Sequence, residues 1–223
     1  EKERALGLFP GVEVALIEAK GRRRLVAWPD GELSAIGAAG AVFATSGTDG
    51  FFARSLDAGR SWTLSRGPWR GKPVKLRLSP SGAVFLLSDR GEFFSSDNGG
   101  LEWVQKAGEV SDFELWDKER LVVLGCSGRV WLENAAGEKL FFATMADAKK
   151  IFYSGRHKLL LLDSLGRLFV SSPELKRWLE IEIDGRPPLV DGACSESSGQ
   201  CVFYDPAGHL YFGSAGTEIV LEK

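Results

Sequence analysis

Apolar residues in this chain fall in short runs broken by Gly, Asp, Ser and Pro, and the runs recur in a fixed order. Val74, Leu76 and Leu78 alternate with Lys75 and Arg77, the period-two pattern of a strand with one buried face. Ala83-Val84-Phe85-Leu86-Leu87, Leu121-Val122-Val123-Leu124 and the run Leu159 to Leu162 are apolar throughout, as expected of strands covered on both faces. No segment between the runs has the length and period of a helix. Met145 to Ile151 comes nearest, but it is too short and serves better as a strand.

The runs group into units of four strands, a to d. The first takes Glu32 to Ile36, Ala41 to Thr45, Phe51 to Arg54 and Ser61 to Leu64. Gly37-Ala38-Ala39-Gly40 and Gly47-Thr48-Asp49-Gly50 are its turns. The second takes Val74 to Leu78, Ala83 to Leu87, Glu92 to Ser95 and Glu102 to Gln105. The third uses Phe113 to Trp116, Leu121 to Leu124, Arg129 to Leu132 and Leu140-Phe141-Phe142. The fourth uses Lys150 to Tyr153, Leu159 to Leu162, Arg167 to Val170 and Trp178 to Ile183. The fifth uses Leu189-Val190, Cys201 to Tyr204, His209 to Phe212 and Glu218 to Leu221.

The turns between strands b and c return about every forty residues, the period of four-stranded propeller blades. The predicted fold is all-β, a small β-propeller in one domain, residues 1–223. Its blades run over about 32–70, 71–107, 110–144, 148–184 and 188–222. An N-terminal hairpin over 12–28 turns at Ala19-Lys20-Gly21 and stops at Pro29-Asp30-Gly31. Five blades with an appended hairpin, six blades with one reduced, and an incomplete ring all remain open.

One motif punctuates the repeat. Ser55-x-Asp57-x-Gly59-x-x-Trp62 follows Phe51-Phe52-Ala53-Arg54. A second copy reads Ser95, Asp97, Gly99 and Trp103, with one extra residue before the tryptophan. At 171–178, Ser171 and Trp178 keep the spacing while Pro173 and Leu175 replace Asp and Gly. The third and fifth units keep only Gly137 and Gly216. The role this suggests is local. Asp accepts hydrogen bonds from nearby backbone N–H groups, Gly supplies a positive φ, and Trp packs its broad face on the blade. Asp57 is therefore expected to brace a turn rather than to act as a catalytic acid.

The motif resembles the Asp box, or BNR repeat, of sialidases, sortilin-type receptors, xyloglucanases and the photosystem II stability/assembly factor family. These families share a fold and differ in activity. Sialidases carry an Arg-Ile-Pro signature, which is absent here, and need a tyrosine nucleophile beside an arginine triad; this chain has only three tyrosines. The assembly factors are the nearest in character. That resemblance implies a non-catalytic module that binds and stabilises a larger, membrane-associated protein complex on the extracytoplasmic side. The alternative is a carbohydrate-binding or glycoside-hydrolase-like propeller, with Trp69 and Trp116 as stacking platforms.

Composition narrows the partners. Net charge is −2, which predicts no general attraction to nucleic acid. The charge is uneven, however: +5 over residues 1–80 and −7 over the remainder. The basic excess includes Arg22-Arg23-Arg24 and the series Arg66, Arg70, Lys72, Lys75 and Arg77. The series is a candidate surface for an acidic protein partner, and a solvated face is the plainer reading. No apolar run is long enough to span a membrane. The chain opens on Glu1-Lys2-Glu3-Arg4 without an initiator Met or a visible signal peptide, as expected of a processed or trimmed chain.

Other chemistry is sparse. His157 and His209 are the only histidines, and no His/Cys cluster has metal-ligand spacing, so neither a metal nor a cofactor is expected. The phosphate loop and Gly-x-Ser-x-Gly patterns do not occur. Cys126 is expected to be a small buried side chain. Cys194 and Cys201 flank a turn-like segment and are either a disulfide, which favours an oxidising compartment, or two free thiols.

Overall fold

The computed structural model describes the backbone of residues 4–9, 13–18 and 23–26. It also describes residues 33–214 apart from 107–108, 118–119, 135–136, 156–157, 173, 184, 186–187 and 196–197. Several expected features lie outside the described residues: the turns at 19–21 and 29–31, Arg22, His157, Pro173, Gly216 and the strand Glu218 to Leu221. The chain divides into two compact units, Glu1–Glu109 and Val110–Lys223.

Among the described residues every regular element is a strand. In the first unit, β1 (Arg4–Phe9), β2 (Glu13–Glu18) and β3 (Arg23–Val26) form a three-stranded antiparallel sheet. The N-terminal hairpin therefore has a third strand, β1, ahead of it. The first blade follows with β4 (Leu33–Ala39), β5 (Val42–Gly47), β6 (Phe51–Ser55) and β7 (Thr63–Arg66), in that order across the sheet. The second is β8 (Pro73–Leu78), β9 (Val84–Ser88), β10 (Phe93–Ser96) and β11 (Val104–Gln105).

In the second unit the third blade is β12 (Val110–Leu115), β13 (Leu121–Gly125), β14 (Val130–Glu133) and β15 (Lys139–Phe141). The fourth is β16 (Ala148–Tyr153), β17 (Leu159–Asp163), β18 (Leu168–Ser171) and β19 (Trp178–Glu180). The fifth contributes β20 (Asp191–Cys194), β21 (Gln200–Tyr204) and β22 (Leu210–Ser214). Its inner strand starts at Asp191, past the expected Leu189-Val190. Leu189 is instead buried in the core with its N–H on the Gly166 carbonyl, 2.9 Å away.

Two devices repeat and set the frame. The strand-a ladder shifts register near its start in each four-stranded blade, between Leu33 and Ala35, Pro73 and Lys75, Val110 and Asp112, and Ala148 and Lys150. Such bulges re-aim the chain where the connection enters the sheet. The b–c turns close with a left-handed glycine, such as Gly128 and Gly166. The carbonyl of that glycine accepts a hydrogen bond from the connection leading to the next blade, Met145 N and Leu189 N respectively, both at 2.9 Å. A Cβ on Gly166 would stand 2.6 Å from Leu189 N, so the close approach admits glycine alone.

The core lies between successive blades. In the first unit Leu76, Leu78, Leu86 and Phe94 pack with Phe52 and Trp69. In the second, one cluster joins the third and fourth blades and another joins the fourth and fifth. This is why the b strands are apolar at every position: Leu159 to Leu162 are all 2% exposed or less, alternate residues serving alternate clusters.

Candidate functional site

The first Asp-box turn leaves β6 at Ser55. The buried Ser55 hydroxyl donates to Asp57 Oδ1 (2.8 Å) and accepts from the N–H of Gly59 (2.8 Å). Asp57 Oδ1 also accepts from the N–H groups of Arg60 (3.0 Å) and Ser61 (2.9 Å). Its Oδ2 accepts from the Ser61 hydroxyl (2.7 Å). The hydroxyl and amide of Ser61, with Ser55, hold the Asp57 carboxyl well below the usual carboxylate range. A carboxylate that only accepts is a turn brace and supplies no proton. Ala58 and Gly59 take φ of +59° and +79° to close the turn.

The second box sits one residue later than the sequence reading placed it. The bonds belong to Ser96, Asn98 and Gly100, in place of Ser95, Asp97 and Gly99. Ser96 Oγ donates to Asn98 Oδ1 (3.0 Å) and accepts from Gly100 N (2.7 Å), while Asn98 Oδ1 accepts from Glu102 N (2.9 Å). Ser95 lies within the ladder opposite Val104, and Asp97 is exposed. With Ser96 as the anchor, Trp103 falls seven positions on, as Trp62 does from Ser55, and no extra residue is needed. Gly99 and Gly100 repeat the two positive φ values of Ala58 and Gly59. Neither has room for a side chain: a Cβ on Gly99 would overlap the Arg54 guanidinium, and one on Gly100 the Phe52 ring.

The third copy also shifts. Ser172 accepts from Lys176 N and Arg177 N (both 3.2 Å), and Leu175 takes φ of +57° without being glycine. Ser171 instead accepts from the buried Leu159 N–H at 3.1 Å. In the third blade Asn134 and Glu138 reproduce the Asn98–Glu102 pair. Glu138 N donates to Asn134 Oδ1 (2.9 Å) and Asn134 Nδ2 donates to Glu138 Oε2 (2.8 Å). A spacing search that allowed Asn for Asp would have found Asn98.

The box tryptophans reach beyond their own strands. Trp103 meets Phe52 edge-on at 5.2 Å and Trp69 at 5.0 Å, both belonging to the preceding blade and its connection. Trp178 donates to the Ala143 carbonyl at 2.9 Å. Trp62 is half-buried.

The basic series divides. Arg66, at the end of β7, and Arg70 and Lys72, on the connection to β8, are exposed. Lys75 and Arg77, on β8, are half-buried, and Arg77 donates to the Leu76 carbonyl at 3.1 Å. The connection is pinned from beneath. Glu92 Oε2 accepts from Gly71 N (3.2 Å), Arg70 N (3.3 Å) and the Ser88 hydroxyl (3.0 Å). Asp89 Oδ1 accepts from Lys72 N (2.9 Å), and Asp89 N donates to the Lys72 carbonyl (2.8 Å). Burial pushes the Glu92 carboxyl up, but the Ser88 hydroxyl, the two amides and nearby Arg90 outweigh it, and the net shift is downward. The backbone of Arg70 to Lys72 is thus fixed while the two cationic side chains project into solvent.

Other expected features meet corrections. Trp69 is buried, with Nε1 donating to the Gly47 carbonyl at 3.0 Å. Trp116 is buried and stacked on Tyr153 at 4.8 Å. Neither can serve as a stacking platform for a sugar. Cys126 is exposed, because it follows the end of β13 in the turn Gly125 to Gly128. Cys194 and Cys201 form a disulfide across directly paired positions of β20 and β21. His209 donates its N–H to Asp205 Oδ1, and its Nδ1 lies 2.9 Å from Asp205 Oδ2, which also accepts from Tyr211 (3.1 Å). Asp163 holds Arg167 in the same way at the equivalent turn of the fourth blade, so the histidine pair is a turn brace too. Among the described residues no cluster of His, Cys, Asp or Glu is arranged to hold a metal ion.

No family model and no curated protein matches the chain. Solved structures do. One described as YCF48 bound to D1 peptide superposes with a TM-score of 0.71 at 12% identity, covering 100% of this chain and 78% of the other. YCF48 from Cyanidioschyzon merolae gives 0.66 at 12%, over 94% and 80%. The β-propeller domain of Cps50 (Swd1) from Myceliophteria thermophila gives 0.69 at 11%, over 95% and 79%. Together with the repeated four-stranded blades, these likenesses make the fold a β-propeller.

Proposed function

We propose that this chain is a non-catalytic protein-interaction module that binds and stabilises a larger protein complex, one associated with a membrane. The observation that carries the reading is the segment Arg70 to Lys72. Its backbone is held by Glu92 and Asp89, and its cationic side chains are left to solvent. A rigid loop bearing free cations loses little entropy when an acidic partner docks. A peptide ligand on a propeller of this kind has precedent in the YCF48 structure with its D1 peptide. The Asp-box carboxylate is spent on turn amides, which supports a module without a catalytic acid. The Cys194–Cys201 disulfide favours an extracytoplasmic compartment.

Crosslinking and co-purification from the native host tests the reading. Arg70→Glu with Lys72→Glu should reduce recovery of the partner by about tenfold, and raising salt should have the same effect on the wild type. Undiminished recovery with the reversed charges would remove the basic segment from the interface.

A further inference from the structure

The blades of residues 110–223 can be compared position by position. In the third blade Val122 pairs with Leu132 and Leu124 with Val130. This quartet is buried against Ile151, Leu159 and Leu161 of the fourth blade. In the fourth blade Leu160 pairs with Val170 and Leu162 with Leu168. That quartet packs against Cys201, Phe203 and Tyr211 of the fifth. The fifth repeats the arrangement, with Val202 opposite Phe212 and Tyr204 opposite Leu210. Each quartet straddles the same four-residue turn, so the equivalence is one of register and does not depend on residue type.

The outcome differs in the fifth blade. Tyr204, Leu210 and Phe212 are 40%, 49% and 55% exposed, and Val202 is half-buried. Positions sealed by the next sheet in two successive blades here meet solvent. The apolar area left open is on the order of 400 Å², the scale of patches that mark interaction sites.

We propose that this face of β20–β22 docks a β-sheet or β-hairpin of a partner protein, with aliphatic and aromatic side chains at alternate positions of its facing surface. That is the chemistry covering the two equivalent quartets inside the chain. The pleat sets the spacing of the four side chains and matches another strand-borne surface. The face holds no spare charge for an ionic ligand, because Asp191, opposite Tyr204, is already paired with Lys150. A second copy of this chain is the poorer occupant. Quartet on quartet would bury roughly 800 Å² in total, below the roughly 1,200 Å² at which stable interfaces begin. The surface is separate from Arg70 and Lys72, and its docking does not depend on them.

The test uses a fluorescein-labelled synthetic β-hairpin with Leu, Leu and Phe at alternate positions of one face and Thr and Lys on the other. Fluorescence anisotropy would follow its binding to the full chain. The wild type should bind it with little salt dependence. The variant Leu210→Thr with Phe212→Ser should bind at least tenfold more weakly, and Tyr204→Thr alone should bind measurably more weakly. Both variants should keep the wild-type melting profile, since the changed side chains are exposed. Arg70→Glu with Lys72→Glu should bind the hairpin like the wild type, which separates this face from the basic segment. Three results would overturn the proposal: no binding to the wild type, equal binding to the wild type and the double variant, or a wild-type dimer in sedimentation that the double variant makes monomeric.

Discussion

The second Asp-box turn offers two registers that differ by one residue, and mutation separates them. The Gly100 N–H is buried and its acceptor is the Ser96 hydroxyl at 2.7 Å. Ser96→Ala removes that acceptor and leaves a buried donor without a partner, at a cost of about 2 kcal/mol. Asn98→Ala removes an acceptor from an exposed amide, that of Glu102, and should cost about 1 kcal/mol. Asp97→Ala alters an exposed side chain and should stay within about 0.5 kcal/mol of wild type. Ser55→Ala is the internal control: it strips the acceptor from the buried Gly59 N–H and should match Ser96→Ala. Urea unfolding followed by tryptophan fluorescence reads these differences, and a 2 kcal/mol loss corresponds to about 4–8 °C in Tm for a chain of this size. A large effect at Asp97 combined with a small one at Ser96 would refute the shifted register.

Acid should unfold the chain partly through two braces. The Asp57 carboxyl, hydrogen-bonded by Ser61 and Ser55, lies well below its ordinary value of 3.8. Burial pushes Asp205 up, but bonds from His209 and Tyr211 prevail and bring it to about 2. Both contribute stability that is present above about pH 4 and lost as pH falls toward 2, so Asp57→Ala should flatten the acid limb of a stability profile over that window. An unchanged slope would mean that the carboxylate is not differentially bound in the folded state. Replacing Cys194 and Cys201 by serine opens a short loop and should cost about 2.5 kcal/mol by loop entropy. Wild type treated with a thiol reductant should melt with the variant, and a difference between the two would count against that account.

Much of the fold was legible because its signals are local and repeated. A b strand apolar at every position, such as Leu159 to Leu162, states that both faces are covered. A turn of the type Asp163 to Gly166 gives its boundary to within a residue. The box was recognised, yet its second copy was placed one residue early. Ser95 and Ser96 are adjacent hydroxyls, and only the pairing of Ser95 with Val104 shows which one leaves the sheet. Asn98 was passed over because Asp97 offered the expected residue type, although hydrogen-bond geometry accepts either. Cys126 was assigned to the strand it follows, and a single step past the last ladder residue turned it outward.

The surface that can receive a partner was less legible, for a physical reason. An apolar strand reads alike whether its neighbour is present or absent. Val202 and Tyr204 carry the same kind of side chain as Leu160 and Leu162, and the sequence does not record which quartet is covered. The basic series misled in the opposite direction. Five cations close in sequence suggested one face, but bonded strands alternate and connections bend, so Lys75 and Arg77 are half-buried on β8 while Arg70 and Lys72 project from a braced loop. Composition locates the charge, and the backbone bonds from Glu92 and Asp89 decide which cations stand ready to meet an acidic partner.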